Sequence, residues 1–305
     1  MKNRLAALLK ENHFDVILFH GKNLIPLIKN IRNIPIAIYF CDATSMRIIS
    51  RIRYTPLYKI PLQYARYLQV RRLERFLVKK SEHIAFVSRR DKEVILGADS
   101  HAPVVTLGVD HAYWKKTKEP DTLYTIVFVG ILNYSPNEDA VLFLLNKILP
   151  HLRRSISGIK VIVVGRNPTP AIKRSASKHS EVTITGFVDD VRPYMENATL
   201  AVIPMRYGSG VQNKVLEAMS MKLPVVTTSI VAAGLRPTGS PDVPVCIAGD
   251  TRDFVDKIKT LLERKDLRIH LAEQGRQFVE QHYDWRKSAA VLEQMCISAA
   301  ADNST

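Results

Sequence analysis

Cysteine is scarce. The 305-residue chain has three, Cys41, Cys246 and Cys296, far apart and with no CxxC pair. That spacing argues against a cysteine-built metal cluster or a disulfide framework and fits a reducing compartment. No run of 18 apolar residues occurs, so no segment is long enough to cross a bilayer as a helix. The start is charged and then apolar, but the apolar run is interrupted at Lys10-Glu11-Asn12, so no signal peptide is read. Internal repeats and low-complexity tracts are also missing. What remains is ordinary for a globular protein: 46% hydrophobic and 8% aromatic residues. The length suits two domains or one large one.

Negative charge is in short supply in one half only. Residues 1–118 carry 22 Lys and Arg against 9 Asp and Glu, whereas residues 119–305 carry 22 against 20, within a net charge of +15. The basic half therefore faces a different kind of partner. An anionic membrane surface, a polyanionic substrate or nucleic acid would each satisfy it, and charge alone does not choose among them.

Short apolar runs separated by helical stretches organise the first half. A short amphipathic helix over 3–11 precedes a buried strand over 14–20, ending at His20. Gly21-Lys22-Asn23 turns into a helix near 24–31, and a strand over 34–40 ends at Cys41-Asp42. Such runs read as a parallel sheet, whose ligands gather at the C-terminal strand ends. His20 and Asp42 are candidates by that position; the alternatives are a structural histidine and an N-cap over Ala43–Ser45. Residues 47–80 are basic and aromatic, including Arg51, Arg53, Tyr54, Tyr58, Lys59, Tyr64, Arg66 and Arg72. They read as helices broken near Pro56 and Pro61, with Leu68, Leu73, Phe76 and Leu77 as an apolar stripe. This suits a surface of anionic lipid, a plain solvated face being the alternative. Nucleic acid is not expected, since no reading module is present. Strands at 84–88 and 104–107 follow, and the polar run from Trp114 to Pro120 is the expected domain linker.

The second half alternates regularly. Strands are expected at 124–129, 159–164, 181–185, 199–203, 224–228 and near 243–247, with helices at 137–154, 169–178, 190–197, 251–263, 266–282 and 285–299. Repeated βα units of this kind specify a doubly wound sheet with right-handed crossovers. Gly130, Gly165, Gly186, Gly208 and Gly210 are read as falling just after strands, opening onto one edge. The stretch Tyr207-Gly208-Ser209-Gly210-Val211-Gln212-Asn213-Lys214 then enters a helix, with Glu217 three residues past Lys214 on the same face. Loop amides at a helix N-terminus beside a lysine make an anion site. With a carboxylate one turn on, the group suits a nucleoside diphosphate. A glycine loop capping an ordinary core helix is the alternative.

Several of these segments together resemble a known family. Gly130 with Tyr134-Ser-Pro-Asn-Glu-Asp-Ala140, Val164-Gly-Arg-Asn-Pro168, Thr185-Gly-Phe-Val-Asp-Asp-Val-Arg-Pro-Tyr194 and Gly210-Val-Gln-Asn-Lys-Val-Leu-Glu-Ala-Met-Ser-Met221 look like family 4 glycosyltransferases of the GT-B fold, most of all the exosortase-associated sugar transferases of exopolysaccharide clusters. The likeness is dense over 124–236 and thinner over 13–123. It implies an α/β, GT-B-like chain of two Rossmann-like domains with parallel sheets facing across a cleft. The expected division is an incomplete acceptor-side domain over 1–118, a nucleotide-sugar-binding domain over 119–282, and a helix over 283–305 crossing back to the first.

By the same resemblance, Glu217 contacts the ribose, while Lys214 with the loop amides around Gly210, Val211 and Gln212 takes the phosphates, and Ser209 and Asn213 belong to the same donor-binding stretch. Gly186, Phe187 and Val188 cradle the base, Gly130 lies near the diphosphate with Arg166 on the same edge, and His20 approaches the donor sugar. His20, Lys214 and Glu217 are the catalytic candidates. The activity implied is a hexosyltransferase-type glycosyltransferase, retaining and metal-independent, in keeping with the lack of any Asp-x-Asp. It would take a UDP- or GDP-linked sugar as substrate, with no cofactor, and pass the sugar to a lipid-linked or polysaccharide acceptor. The site would work in the cytoplasm, peripherally on the inner membrane face. Two departures stand out. The E-x(7)-E pattern of the family has Ser209 at its first position, and the loop after Gly130 lacks the usual Arg or Lys. The first domain also reads as truncated, its missing strands absent or supplied by another chain. A nucleotide-sugar-binding module without transfer activity is therefore the alternative function.

Overall fold

The computed structural model describes residues 1–21, 24–118, 124–237 and 242–302. The Lys22-Asn23 turn, the end of the expected linker and the 118/119 boundary touch residues outside that set. The chain divides into two compact units. One comprises Met1–Leu107, Ser209–Val211 and Trp285–Thr305, the other Gly108–Gly208 and Gln212–Asp284.

The first unit holds a parallel sheet in the order β1-β2-β3: β1 Ile17–His20, β2 Ile36–Phe40 and β3 Ile84–Phe86. Ile17 lies beside Ile36, and Ile38 beside Ile84. Alternate strand residues point to opposite faces, and both faces are covered. Ile36, Ile38, Phe40, Ile84 and Phe86 pack with Phe19, Ile28 and Leu77. Ala37, Tyr39, Ala85, Val87 and Val105 pack with Met295 and Ala299 of the C-terminal helix Trp285–Ala301. The expected strand at 104–107 reduces to one bridge, Phe86 to Val104. The expected helix at 24–31 shortens to Ile25–Ile28.

Two helices, Thr44–Ile52 and Ile60–Lys80, carry the basic stretch. Only Pro56 lies at a break. Pro61 sits in the first turn of the longer helix, where a missing N–H costs no hydrogen bond. Much of the expected apolar stripe is core: Leu77 is fully buried, and Leu73 and Phe76 pack against the same cluster. A further helix, Arg89–Leu96, starts where Ser88 caps the N–H of Asp91 at 3.1 Å.

The second unit holds six parallel strands: β4 Thr125–Val129, β5 Lys160–Val164, β6 Val182–Gly186, β7 Leu200–Ile203, β8 Val225–Thr227 and β9 Cys246–Ile247. Their order is β6-β5-β4-β7-β8-β9. The central strands are continuous apolar runs because helices cover both faces; Ile126, Val127, Phe128, Val161, Val163 and Val202 have no exposed surface. The expected helix over 137–154 is Ser135–Phe143, a π-helical segment Leu144–Ile148 and Leu149–Ser155. Thr169 and Asp250 cap the helices Pro170–Ala176 and Thr251–Glu263 through the N–H groups of Ile172 and Asp253. The strand expected over 243–247 keeps only its last two residues. Three glycines lie elsewhere than expected: Gly186 closes β6 itself, and Gly208 and Gly210 follow several residues past Ile203.

Candidate functional site

The chain runs from β4 outward to β5 and β6, then returns to place β7 on the other side of β4. The strand order reverses between β4 and β7. At such a point the loops leaving the strand ends diverge and leave a crevice for a ligand. Gly130 leaves β4 there, ahead of the helix Ser135–Phe143. The loop from Pro204 leaves β7 and leads to the helix Asn213–Ser220.

Two glycines let backbone crowd at this point. The Gly130 N–H donates to the Val164 carbonyl at 3.0 Å. A Cβ on Gly165 would lie 1.8 Å from the Gly130 carbonyl oxygen, and one on Gly130 would lie 2.7 Å from Asn137 Nδ2 and 3.4 Å from Lys214 Cε. Any side chain at either position would displace the groups packed there.

Those groups are the polar centre of the site. Asn137 is 4% exposed; its Nδ2 donates to the Ile131 carbonyl at 3.0 Å, and its Oδ1 accepts from Lys214 Nζ at 2.5 Å. Lys214 Nζ also lies 3.8 Å from Met205 Sδ and 5.4 Å from the centre of the Phe128 ring. Burial of the ammonium among these groups lowers the Lys214 pKa to about 8, against the opposing pull of Glu217. Burial raises the Glu217 carboxyl to about 7, and Lys214 offsets part of that rise. Each side chain as a whole is half-buried, so the shielding falls on the ionisable ends.

The β7 loop is held by named pairs. Arg206 grips Asp139 through Nε at 2.9 Å and Nη2 at 2.5 Å, with its guanidinium over the Phe143 ring. The Tyr207 hydroxyl donates to the Ser135 carbonyl at 2.9 Å, and Thr228 Oγ1 donates to the Met205 carbonyl at 2.6 Å. Gln212 precedes the helix Asn213–Ser220 without a side-chain cap, and its carbonyl accepts from the Val215 N–H. The first amides of that helix lack a side-chain acceptor at the N-cap, which is the condition for an anion site.

The other expected residues divide between the units. In the second, Arg166 is exposed just past Gly165, Phe187 is 70% exposed after Gly186, Val188 is half-buried and Asn213 is exposed. Ser209, Gly210 and Val211 group with the first unit. Ser209 Oγ donates to Asp42 Oδ2 at 2.8 Å, and the Gly210 N–H donates to Asp91 Oδ1 at 3.2 Å. Gly210 has φ +68° and no room for a Cβ, which would meet the Cys41 carbonyl at 2.8 Å. Asp42 does not cap the helix after it; the position before Thr44 is Ala43, with no side-chain cap. His20, at the end of β1, is exposed and stacks on Tyr39 at 5.4 Å.

Sequence reasoning passed over Asn137, the partner that fixes Lys214, and the Arg206–Asp139 and Tyr207–Ser135 pairs. Their signal was the polar segment 134–140 after a buried strand, which entered the reading as part of the resemblance and as the approach to a helix, with no role given to its side chains. Among the described residues no three His, Cys, Asp or Glu side chains are grouped to hold a metal ion.

Residues 124–264 match the family model described as Glycosyl transferases group 1. Among solved structures, sucrose-phosphate synthase from Thermosynechococcus elongatus matches with a TM-score of 0.79 at 14% identity, over 99% of this chain and 77% of that one. The Anabaena protein HepE, in complex with UDP and glucose, matches with a TM-score of 0.71 at 14% identity, over 97% of this chain and 81% of that one. TarM, a protein of S. aureus, matches with a TM-score of 0.71 at 13% identity, over 97% of this chain and 57% of that one. A comparison with curated proteins finds no match. The chain thus carries a glycosyltransferase group 1 domain, and its α/β fold with parallel sheets matches GT-B glycosyltransferases.

Proposed function

We propose that this chain transfers a sugar from a nucleotide-sugar donor, and that the second unit binds the donor's nucleoside diphosphate. One observation carries the reading. Lys214, fixed by Asn137 against Gly130, stands at a helix N-terminus at the strand-order reversal, with Glu217 one turn further on. An ammonium and helix amides at one point suit a diphosphate, and a carboxylate beside them accepts from ribose hydroxyls. When the glycosidic bond to the leaving phosphate breaks, charge grows on that phosphate. Lys214, already positioned, stabilises it without reorganising. In this reading Lys214 and the amides do that work without a metal, and the sugar keeps its anomeric configuration.

The finer assignments rest on the family resemblance. They are a UDP- or GDP-linked sugar, with Gly186, Phe187 and Val188 at the base and Gly130 and Arg166 near the diphosphate. The acceptor is a lipid-linked or polysaccharide chain of an exopolysaccharide or other cell-surface glycan, met at the cytoplasmic membrane face. HepE was solved with UDP and with UDP-glucose, which favours UDP as the first nucleotide to try. Ser209 supports a second reading. It stands where the resemblance expects a glutamate, and Asp42 engages its hydroxyl. The chain would then bind the nucleotide sugar without transferring it.

Thermal-shift titration with UDP, GDP and their sugars tests the donor site. At least one nucleoside diphosphate should raise the melting temperature, and Lys214→Ala and Glu217→Ala should each abolish the rise. A wild-type chain that no nucleotide stabilises overturns the proposal. Product formation separates the two readings. For a transferase, His20→Ala should lower turnover and leave the nucleotide shift intact.

A further inference from the structure

From Thr44 to Leu73 the chain has seven Arg and Lys residues and no Asp or Glu. Glu74, the next carboxylate, is fully buried, where it accepts from the Ser45 N–H at 3.1 Å. Arg53, Lys59, Arg66 and Arg72 are all exposed. These residues belong to the two helices Thr44–Ile52 and Ile60–Lys80 and the turn that joins them.

That turn is apolar at its tip. Pro56 leads into a single 3-10 turn, Leu57–Lys59, before the long helix begins. Leu57 is 85% exposed, Tyr58 78% and Leu62 56%. Lys59 Nζ sits 5.3 Å from the Tyr58 ring centre, so a cation rides beside the aromatic ring. Of the leucines expected to form an apolar face further along the helix, Leu77 is core and Leu73 packs against it, while Leu68 is exposed. The most exposed apolar side chains of the two helices lie at the turn. Backbone bonds fix its shape: Tyr54 N–H to Arg51 carbonyl, Thr55 N–H to Ile52 carbonyl and Lys59 N–H to Pro56 carbonyl.

We propose that this hairpin tip docks on a bilayer containing anionic lipid, with Leu57, Tyr58 and Leu62 entering the interface and the surrounding cations facing headgroups. Both halves of the feature are needed for the choice. Cations without carboxylates attract any polyanion. Two exposed leucines and a tyrosine at the end of a helical hairpin gain nothing from a phosphate backbone in water, whereas an acyl boundary removes them from water. Juxtamembrane Lys and Arg add attraction that falls off within a Debye length of an anionic surface. The proposal deepens the membrane-face part of the proposed function by naming the element that meets the bilayer, and it stands whether or not a nucleotide sugar binds.

Co-sedimentation of the full chain with vesicles tests it. Phosphatidylcholine vesicles should bind weakly, and vesicles with added phosphatidylglycerol should bind in a way that salt weakens. The triple variant Leu57→Ser, Tyr58→Ser, Leu62→Ser keeps every charge and should lower binding to the anionic vesicles by about tenfold or more. Lys59→Glu with Arg66→Glu should abolish the preference for phosphatidylglycerol. Both variants should melt like the wild type and keep its nucleotide-induced shift, since all five residues are exposed or outside the donor site. Equal binding to both vesicle types overturns the proposal, and so does unchanged binding by the triple variant. A single-stranded RNA probe that binds the chain while anionic vesicles do not would also overturn it, assigning the cations to nucleic acid.

Discussion

At the scale of single residues, the proposed donor site carries opposed titrations. Lys214 holds a folded pKa of about 8, below its ordinary 10.5. Its contribution to stability is greatest above 10.5 and declines as the pH falls toward about 8, because the unfolded chain takes the proton first. Glu217 is raised from 4.5 to about 7, so its contribution is full below 4.5 and is lost as the pH rises to about 7. Both losses are complete between about 7 and 8, where the side chains are charged and incompletely solvated. A diphosphate on Lys214 and hydroxyls on Glu217, in the proposed binding mode, would favour those same charged forms. Nucleoside diphosphate affinity should therefore peak in that window and fall on either side. Isothermal titration across pH measures it. Lys214→Arg, which stays charged throughout the range, should remove the alkaline fall and Glu217→Gln the acidic one; both falls surviving in the variants would show that these side chains do not meet the ligand.

At the scale of elements, the helix starts of the first unit converge on Asp91. Its Oδ1 accepts from the Ala43 N–H at 2.6 Å and the Gly210 N–H at 3.2 Å, and its Oδ2 accepts from Ser88 Oγ, all with no exposed surface on the aspartate. Asp91→Ala would leave buried N–H groups without an acceptor and should cost about 2–4 kcal/mol of unfolding free energy. Urea denaturation reads that value, and a loss under half of it would show that water replaces the carboxylate. None of this was legible in the chain. Ser88-Arg89-Arg90-Asp91 has the spacing of a helix cap, yet no apolar period follows to announce Arg89–Leu96, and the acceptor role depends on residues distant in sequence. The second unit was easier to read. Its central strands are apolar runs rich in Val and Ile, which read as strands covered on both faces, and the helix Thr251–Glu263 begins at its capping aspartate. The basic helices misled because period cannot say which side of a helix meets a core. Leu73, Phe76 and Leu77 look like a surface stripe until the sheet they cover is in place. Lys214 and Glu217 announced themselves by spacing. Asn137 did not, because an asparagine near a helix start has an ordinary local role.

At the scale of the whole molecule, neither unit is a continuous stretch of chain. The helix Trp285–Ala301 supplies Met295 and Ala299 to the face of Ala37, Tyr39, Ala85 and Val87. Ending the chain after Asp284 should uncover that face and destabilise the first unit by roughly 3 kcal/mol or more. The second unit should keep its own cooperative transition. Calorimetry with a dye for exposed apolar surface checks this, and an unaltered first transition would show that the helix is dispensable. The same feature has a consequence for synthesis. A ribosome adding about 5–20 residues per second reaches the final helix roughly 10–40 s after the last strand of the first sheet has emerged. Through that interval one side of the nascent sheet has no cover, while the second unit has all of its own strands and can fold. Although it is made first, the amino-terminal sheet is the later of the two to mature, and its uncovered side is the stretch on which a chaperone would be found during translation.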